Sequence, residues 1–469
     1  MEQTLIGQKL LHKQVVSEAQ LEAALDRQRM HGGRLGNNLV ALGHISQEEL
    51  GAFFQPHPAV PRDVADTGLD ATFLADLLLK HCCVLGEFAL RDAVQRLRLP
   101  ARIVNDLLDT LRHDRFLEVK GAAGYTKSTY TFAITATGQN RSAELMEICR
   151  YLGPAPVLLE EYVRMAEMQT IRNIVVDAES LRRAFKDITL ENGLLNRLGP
   201  AVSSGKAIFL YGPPGNGKTT VAEAMGRALS GNVYMPHAVY VDGQIITIFD
   251  NATHVPAAPE REEEQVDQRW ILVHRPVILA GGELRLDMLE LEFNTITNFY
   301  EAPLQMKANN GLFIIDDFGR QLIEPQNLLN RWIAPLERRK DFLTLHTGLK
   351  FAIPFDQLTV FSTNLNPKDL VDEAFLRRIR YKIKIDHPSA SEFEAIFKKV
   401  CEANGVIFDP EIFTYLKENY YGQLGVRFNS CHPRDLVDQI LDNAHYFNYP
   451  AKLTKKDIDM AWKNYFVET

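Results

Sequence analysis

The sequence predicts a multidomain α/β protein, in which an α/β core with a C-terminal helical lid follows two small domains. Three observations support this fold class. An internal repeat occupies the start of the chain, three helical stripes precede an alternating apolar run, and several buried strand-like runs end in polar motifs. We expect a helical repeat domain over 1–58, an α+β domain over 65–150, an α/β core over 170–388 and a helical lid over 389–469.

The bulk composition is that of an ordinary globular chain. The protein has 469 residues, 46% of them hydrophobic and 24% charged, and its net charge of −8 disfavours general attraction to nucleic acid or anionic membranes. Its five cysteines contain no C-x-x-C pair, which favours a reducing cytoplasm. The start lacks a signal-peptide pattern, and no run approaches the ~18 apolar residues of a spanning helix. We therefore expect a cytoplasmic protein without direct membrane insertion.

The first 58 residues contain two copies of one unit, offset by 29 positions. Ile6-Gly7 recurs as Leu35-Gly36, and Val16-Ser17 recurs as Ile45-Ser46. Each unit places a glycine before a short apolar helix and a serine N-cap before a second helix. We expect each unit to bury its apolar stripe against the other.

The segment from Arg34 to Ser46 resembles the N-terminal domain of type II secretion and type IV pilus assembly ATPases. In that family, paired R-L-G-x-x-L repeats can bind cyclic di-GMP, which makes Arg34, Leu35 and Gly36 the candidate contacts. Arginine forms forked hydrogen bonds with phosphates and guanine edges, but the first copy has no arginine before Ile6-Gly7. A helical docking module without a ligand is the alternative.

Residues 65–150 combine helical and alternating patterns. Helical stripes begin at Phe73, Leu90 and Ile103, and the alternating runs 116–119 and 130–134 flank a glycine turn. Three helices followed by a hairpin is the order of a winged-helix domain, whose third helix contacts DNA in DNA-binding members. Acidic residues are interleaved with the basic ones, so a protein-docking or structural role is favoured over nucleic-acid binding.

A glycine-rich segment follows the apolar run 207–211 and precedes helix-forming residues. It matches G-x-x-x-x-G-K-[ST], in which backbone amides and a helix N-terminus cradle phosphate groups. Lys218 is expected to reach the β- and γ-phosphates, and the Thr219 hydroxyl to bind Mg²⁺. The residues of this predicted ATP-binding loop are Gly212, Pro213, Pro214, Gly215, Asn216, Gly217, Lys218, Thr219 and Thr220.

Two further apolar runs end in polar side chains. The run 312–315 ends at Asp316 and Asp317, and the run 358–363 ends at Asn364. These motifs, in this order, resemble the Walker B and sensor 1 elements of AAA+ ATPases. The resemblance implies that Asp316 lies near Mg²⁺, that Asp317 polarises the attacking water and that Asn364 helps to position it. Glutamate is more common than aspartate at the second position, and the shorter side chain makes slow hydrolysis an alternative.

The AAA+ resemblance extends towards the C-terminus. The segment 374–385 resembles the AAA+ segment that carries an arginine finger, and its register makes Arg378 the first candidate and Arg377 the second. A finger reaches the γ-phosphate of a neighbouring subunit, so the resemblance implies a homo-oligomeric ring. Pro433-Arg434 opens a helical stripe and resembles sensor 2 of the lid, which implies that Arg434 contacts the nucleotide. Solvated basic helix ends are the alternative interpretation of these arginines.

Two departures from a compact AAA+ module predict insertions. The P-loop lysine lies 98 positions before the first Walker B aspartate, and the interval contains an acidic stretch, Glu260 to Glu264, and a predicted hairpin from Trp270 to Leu286. A second hairpin is predicted over 342–354 with its turn at Thr347-Gly348. Its place before sensor 1 resembles the MoxR-like AAA+ ATPases, in which such hairpins often contact the substrate. A solvent-exposed hairpin without a substrate contact is the alternative.

Together these features predict an oligomeric, Mg²⁺-dependent AAA+ ATPase that remodels or drives an unidentified protein partner. Cyclic di-GMP is the candidate regulator at the N-terminal domain. One alternative is a nucleotide switch that binds ATP without hydrolysing it, which Asp317 in place of glutamate favours. Another is a DNA-directed AAA+ regulator that uses the winged-helix-like domain, against which the sequence lacks a G-A-F-T-G-A loop.

Overall fold

The architecture comes from a computed structural model that describes residues 7–8, 10–11, 15–32, 35–46, 49–50, 57–122, 130–174, 176–258, 266–370 and 373–466. Arg34 and the acidic stretch Glu260 to Glu264 lie outside the described residues. Within the described ranges, every helix is too short or too polar to cross a membrane.

The described residues form strands and helices throughout the chain. In chain order, the strands are β1 (Glu87–Ala89), β2 (Leu117–Ala122), β3 (Tyr130–Ile134), β4 (Val157–Leu158), β5 (Ile208–Tyr211), β6 (Asn232–Pro236), β7 (Ala238–Val241), β8 (Gln244–Thr247), β9 (Trp270–His274), β10 (Val277–Ala280), β11 (Glu292–Asn294), β12 (Phe299–Glu301), β13 (Leu312–Ile315), β14 (Lys340–Thr344), β15 (Lys350–Pro354), β16 (Leu358–Thr363) and β17 (Tyr381–Lys384). The α-helices are α1 (Glu18–His31), α2 (Leu35–Ala41), α3 (Ala71–Leu85), α4 (Leu90–Leu97), α5 (Ala101–His113), α6 (Ala136–Ile148), α7 (Leu159–Met168), α8 (Ala178–Ala184), α9 (Asn192–Ser203), α10 (Lys218–Ala228), α11 (Leu304–Lys307), α12 (Pro325–Arg338), α13 (Pro367–Leu370), α14 (Glu373–Leu376), α15 (Ala390–Ala403), α16 (Pro410–Leu416), α17 (His432–Tyr446) and α18 (Lys455–Tyr465).

The N-terminal repeat appears as two equivalent packing arrangements. Side-chain atoms of Leu21 lie 3.2 Å from the position that a Cβ on Gly7 would take, and those of Leu50 lie 3.0 Å from the same position on Gly36. Both leucines follow their glycine by 14 residues. One apolar cluster, which includes Leu35, joins the two units.

Residues 65–150 contain the predicted helices and hairpin, which are α3, α4, α5 and β2–β3. The structure adds β1 between the first two helices and α6 after the hairpin, and the three strands form an antiparallel sheet in the order β1-β3-β2. The solvent side of α5 carries Arg102, Asp106 and Thr110. This third helix therefore does not present a uniformly basic face.

A five-stranded parallel sheet in the order β10-β13-β16-β5-β17 forms the core. Ile208 and Leu210 of β5 pack in the apolar cluster that contains α10, whereas Phe209 packs in the cluster that contains α12. Because helices cover both faces, these strands are continuous apolar runs in the sequence. All five strands are parallel, so their carboxyl ends lie at one edge of the sheet, the carboxyl edge, and their amino ends at the opposite amino edge.

A second five-stranded sheet, in the order β11-β12-β8-β7-β4, comes mainly from the interval between α10 and β13. The predicted hairpin from Trp270 to Leu286 is wrong. β9 pairs antiparallel with β6, β10 joins the core sheet beside β13, and Leu286 begins a 3₁₀ turn. The apolar run from Trp270 thus forms two strands with different partners, and 284–286 forms no strand. The pairing is set by packing against distant segments.

The predicted hairpin before β16 is confirmed, since β14 and β15 pair antiparallel around Thr347-Gly348. Its apolar face is buried. Leu343 and Ile353 pack in the same cluster as side chains of the second sheet. The His346 ring stacks on Phe293 of β11 with centroids 4.4 Å apart. The hairpin is therefore attached to the second sheet.

The second sheet also contacts the segment 65–150. Phe73 of α3 meets Tyr240 of β7 with ring centroids 4.6 Å apart. Tyr151, directly after this segment, meets Phe299 of β12 at 5.6 Å. The second sheet thus lies between this segment and the hairpin β14–β15.

Helices α15 to α18 follow the core sheet and bury a common apolar cluster that includes Phe393, Leu436 and Trp462. Ser389 begins α15 with a capping box, in which its side chain and that of Glu392 each pair with the other's backbone amide. The predicted helical stripe after Pro433 is α17.

Candidate functional site

The glycine-rich loop lies at the carboxyl edge, between β5 and the first turn of α10. Gly212 and Gly215 have φ angles of 144° and 74°, which favour glycine. At Gly212 space also requires glycine, because a Cβ there would lie 2.0 Å from the carbonyl oxygen of Ile385. The loop is thus held against the end of β17, and the helix that follows directs its amino end towards the loop. A helix N-terminus with free backbone amides favours an anion.

Lys218 is the first residue of α10 and is buried, with 7% of its surface exposed. Its Nζ donates to the carbonyl oxygens of Gly212 at 3.0 Å and Pro213 at 2.8 Å. Burial lowers the pKa of Lys218, while the carboxylates of Asp316 and Asp317 oppose that shift. The ammonium is therefore held inside the loop, where neutral carbonyl groups are its acceptors.

Thr219 and Asp316 meet beside this lysine. The Thr219 hydroxyl donates to Oδ2 of Asp316 at 2.6 Å. The contact follows from the strand order. Asp316 directly follows β13, Thr219 lies in the helix after β5, and only β16 lies between these two strands. A hydroxyl and a carboxylate are the hard oxygen ligands that Mg²⁺ accepts alongside water and phosphate.

Asp317 and Asn364 form a second polar pair at the same edge. Nδ2 of Asn364 donates to Oδ1 of Asp317 at 2.8 Å, and Asp317 is exposed. Its φ of 48° is unusual for a residue other than glycine. The pair thus presents an oriented carboxylate towards solvent, beside the Thr219–Asp316 contact.

Gln321 was not identified from the sequence. Its Nε2 donates to the Asp316 carbonyl oxygen at 2.6 Å, and its Oε1 accepts from the Gly319 amide at 2.8 Å. The side chain therefore supports the turn that carries both aspartates. The sequence gives little indication of this role, since a single glutamine after a strand belongs to no recognisable motif.

The segment before α17 approaches the loop through two backbone amides. The Cys431 amide donates to the Gly215 carbonyl oxygen at 2.9 Å, and the Ser430 amide donates to Oδ1 of Asn216 at 3.1 Å. Arg434 is exposed in the first turn of α17 and forms no hydrogen bond or ion pair with another described residue.

The candidate finger arginines lie at the amino edge. Arg378 pairs with Glu337 at the end of α12. Nearby, Arg339 donates to the Gly205 carbonyl oxygen before β5 at 2.6 Å. Arg377 is exposed in the same turn. The structure does not bring these arginines to the P-loop of their own chain.

The N-terminal candidates are only partly described. Leu35 is 4% exposed and belongs to the core that joins the two units, and Gly36 packs against Leu50. Arg34 lies outside the described residues. The prediction of a cyclic di-GMP contact therefore stays a prediction.

Comparison with known proteins gives limited matches. A family described as "Domain of unknown function (DUF8689)" matches residues 389–464, which span most of the C-terminal helices. No curated protein matches the chain.

Three solved structures are similar to the chain at low identity. The RuvB Holliday junction branch migration motor of Thermotoga maritima shows 14% identity and a TM-score of 0.34, over 62% of this chain and 71% of that one. Domain III of the replication initiation protein DnaA of Thermotoga maritima shows 13% identity and a TM-score of 0.35, over 61% and 98%. NtrX from Brucella abortus shows 14% identity and a TM-score of 0.38, over 61% of this chain and 58% of that one. Similarities of this size establish neither fold nor function.

Proposed function

We propose that this protein is a P-loop ATPase of the AAA+ type, which binds ATP with Mg²⁺ and hydrolyses it. One observation carries the proposal. Lys218, the Thr219–Asp316 pair and the Asp317–Asn364 pair meet at the carboxyl edge, although they come from three separate parts of the chain. Ligands of open α/β sheets bind at this edge.

Each group has a chemical role in this proposal. The loop 212–220 and the amino end of α10 bind the phosphates, and Lys218 exchanges its carbonyl acceptors for phosphate oxygens, which form stronger charge-assisted hydrogen bonds. Thr219 and Asp316 hold Mg²⁺, which offsets charge on the transferred phosphoryl group. Asp317 polarises the attacking water, and Asn364 keeps the Asp317 carboxylate oriented towards it.

The proposal includes a homo-oligomer, in which Arg378, with Arg377 as second candidate, serves the neighbouring site. Arg378 lies at the amino edge, whereas the P-loop of the same chain lies at the carboxyl edge. A phosphate contact by this arginine therefore requires a second copy. A head-to-tail interface forms a ring when the rotation between copies closes, and the proposed assembly is such a ring.

The cytoplasmic assembly is proposed to remodel or drive a protein partner. We assign the helical repeat domain to 1–58, the winged-helix-like domain to 65–150, the nucleotide core, of the MoxR-like type with its hairpin before sensor 1, to 170–388, and the lid to 389–469. The packing of Phe73 on Tyr240 and of His346 on Phe293 supports transmission between the core and the N-terminal half through the second sheet. Cyclic di-GMP at Arg34, Leu35 and Gly36 is proposed as the regulator.

The proposed ATP hydrolysis is tested by measuring phosphate release from MgATP by the full chain. We expect Lys218→Ala to lower both nucleotide affinity and turnover, because it removes the buried ammonium. Lys206→Ala is the matched control, since that lysine is exposed just before β5. Equal turnover by wild type and Lys218→Ala would contradict the proposal.

A nucleotide switch without hydrolysis is the second candidate. It is favoured by the Asp317 side chain, which is one methylene shorter than that of glutamate and so places its carboxylate differently for the attacking water. In that case the wild type binds ATP, but its phosphate release does not exceed that of Lys218→Ala. A DNA-directed regulator has no comparable support, because the solvent side of α5 carries Asp106.

A further inference from the structure

Asn216 is the side chain of the glycine-rich loop that reaches the segment before α17 with both ends of its amide group. It is 3% exposed. Its Oδ1 accepts from the Ser430 amide at 3.1 Å, and its Nδ2 lies 3.4 Å from Oδ1 of Asn429. The same Nδ2 lies 3.4 Å from the carbonyl oxygens of Pro213 and Pro214. Asn216 thus joins the loop's own backbone to the segment before α17.

Two histidines set the orientation of the Asn429 amide. Nδ1 of His387 faces Oδ1 of Asn429 at 2.8 Å and the carbonyl oxygen of Phe428 at 2.9 Å, so this nitrogen must donate. On the other side, Nδ2 of Asn429 donates to Nε2 of His432 at 3.2 Å. Because one neighbour can only donate and the other accepts, the oxygen of Asn429 faces the P-loop.

This arrangement is anchored in the core of the C-terminal helices. Nδ1 of His432 lies 2.9 Å from the Tyr421 hydroxyl, and Phe428 stacks on Phe393 with ring centroids 4.6 Å apart. The backbone adds a direct contact, the 2.9 Å bond from the Cys431 amide to the Gly215 carbonyl oxygen. A movement of the C-terminal helices away from the loop must therefore break contacts at two successive loop residues.

We propose that Asn216 and Asn429 are positioning residues that couple the C-terminal helices to phosphate binding. Asn216 lies two residues before Lys218, so its position affects the loop amides and the lysine that would hold the phosphates. When the helices hold Asn429 in place, Asn216 holds the loop in its phosphate-binding shape. The nucleotide contact predicted for Arg434 is separate from this pair and stays a prediction.

The inference rests on the proposed function, because it concerns nucleotide affinity at the same site. An Asn216–Asn429 contact that only stabilises the fold would give a different result from a positioning contact. Its loss would lower the thermal midpoint of unfolding similarly with and without nucleotide, and the affinity of the folded protein would not change. A positioning role changes the affinity itself.

The test is a double-mutant cycle on the full chain, with a fluorescent, slowly hydrolysed ATP analogue and Mg²⁺ as the probe. We expect Asn216→Ala and Asn429→Ala each to weaken binding by roughly threefold to tenfold, the range of one or two net hydrogen bonds. The double variant should bind about as weakly as Asn216→Ala, because that substitution already removes the contact with Asn429. Two variants on opposite sides of the contact keep the test valid if one of them folds poorly.

Asn464→Ala is the matched control, because Asn464 is an exposed asparagine in α18. Wild-type affinity in Asn429→Ala, equal to that of the control, would overturn the inference while leaving the proposed function intact. Multiplicative effects in the double variant would also overturn it, since they indicate independent residues. If the wild type does not bind the analogue, both the proposed function and this inference fail.

Discussion

Replacement of Arg378 by alanine tests whether the candidate site is shared between copies of the chain. β17 runs from Tyr381, opposite Ile208, to Lys384, opposite Tyr211. At ~3.3 Å per residue, these three steps separate the two edges of the sheet by ~10 Å. Arg378 precedes the amino end of β17, whereas the P-loop follows the carboxyl end of β5. The arginine therefore cannot serve the site of its own chain.

The expected loss of activity is much larger than the expected loss of stability. An arginine finger contributes about 10³-fold or more to turnover. The ion pair of Arg378 with Glu337 is partly exposed, with 32% and 48% of the two side chains accessible, so its removal costs at most about 1 kcal/mol of folding free energy. The variant should remain folded and bind ATP, but release phosphate very slowly.

Mixing two inactive variants gives the decisive assay. Arg378→Ala keeps its own Asp317, and Asp317→Asn keeps its own Arg378, so neighbouring copies can form an intact site between them. With random equal mixing, about a quarter of all sites should be intact. Arg377→Ala tests the second candidate. Arg91→Ala, which removes an exposed arginine of α4, is the control.

Two results would refute the reasoning. Wild-type turnover by Arg378→Ala at saturating ATP and protein would mean that no site depends on this arginine. An inactive mixture of two separately folded, oligomeric variants would mean that the arginine acts within its own chain or only supports the fold.

Three further predictions concern the loop, the catalytic pair and the C-terminal helices. Gly215→Ala should cost about 1–3 kcal/mol in thermal unfolding, because φ is 74° and the new Cβ would lie 2.7 Å from Sγ of Cys431. Gly231→Ala should lower the unfolding free energy less, because Gly231 has a φ of 87° but no atom within 4 Å of the new Cβ. An equal loss in both variants would show that the Cys431 contact does not contribute. Asp317→Asn should lower phosphate release by about 100-fold or more while analogue affinity changes less than about threefold; a parallel loss of both would instead indicate a binding role. Burial lowers the pKa of His432 to about 4. As pH falls below about 6.5, this histidine is therefore protonated in the unfolded chain before it is protonated in the folded one. Up to about 3 kcal/mol of unfolding free energy should be lost by pH 4. Denaturation of His432→Gln should show a smaller acid-induced loss, whereas a control at the exposed His445 should lose as much as the wild type.

The sequence predicted site residues most accurately where they directly follow a buried strand. β5, β13 and β16 are buried on both faces, so each is a continuous apolar run followed by polar residues. Parallel strands place such carboxyl ends together, which is why the contacts of Asp316 with Thr219 and of Asp317 with Asn364 follow from three separate motifs.

The second sheet was beyond sequence reasoning. Its strands have two to four residues, and β4 pairs with β7 although about 80 residues separate Val157 from Val239. Short strands carry little periodicity, and their pairing is stabilised by side chains from remote segments. The mistaken hairpin from Trp270 to Leu286 has the same cause, because neighbouring apolar runs look like partners when the real partners are distant.

By itself, the sequence determined the glycine-rich loop, the polar residues that end three core strands and the helical pattern of the C-terminal segment. Each of these depends on local spacing and burial within one element. Only the tertiary structure decided that Arg378 lies at the opposite edge from Lys218, and that Asn429 contacts the loop. The Asn216–Asn429 contact joins residues 213 positions apart. Both placements depend on how whole elements pack, which no local pattern encodes.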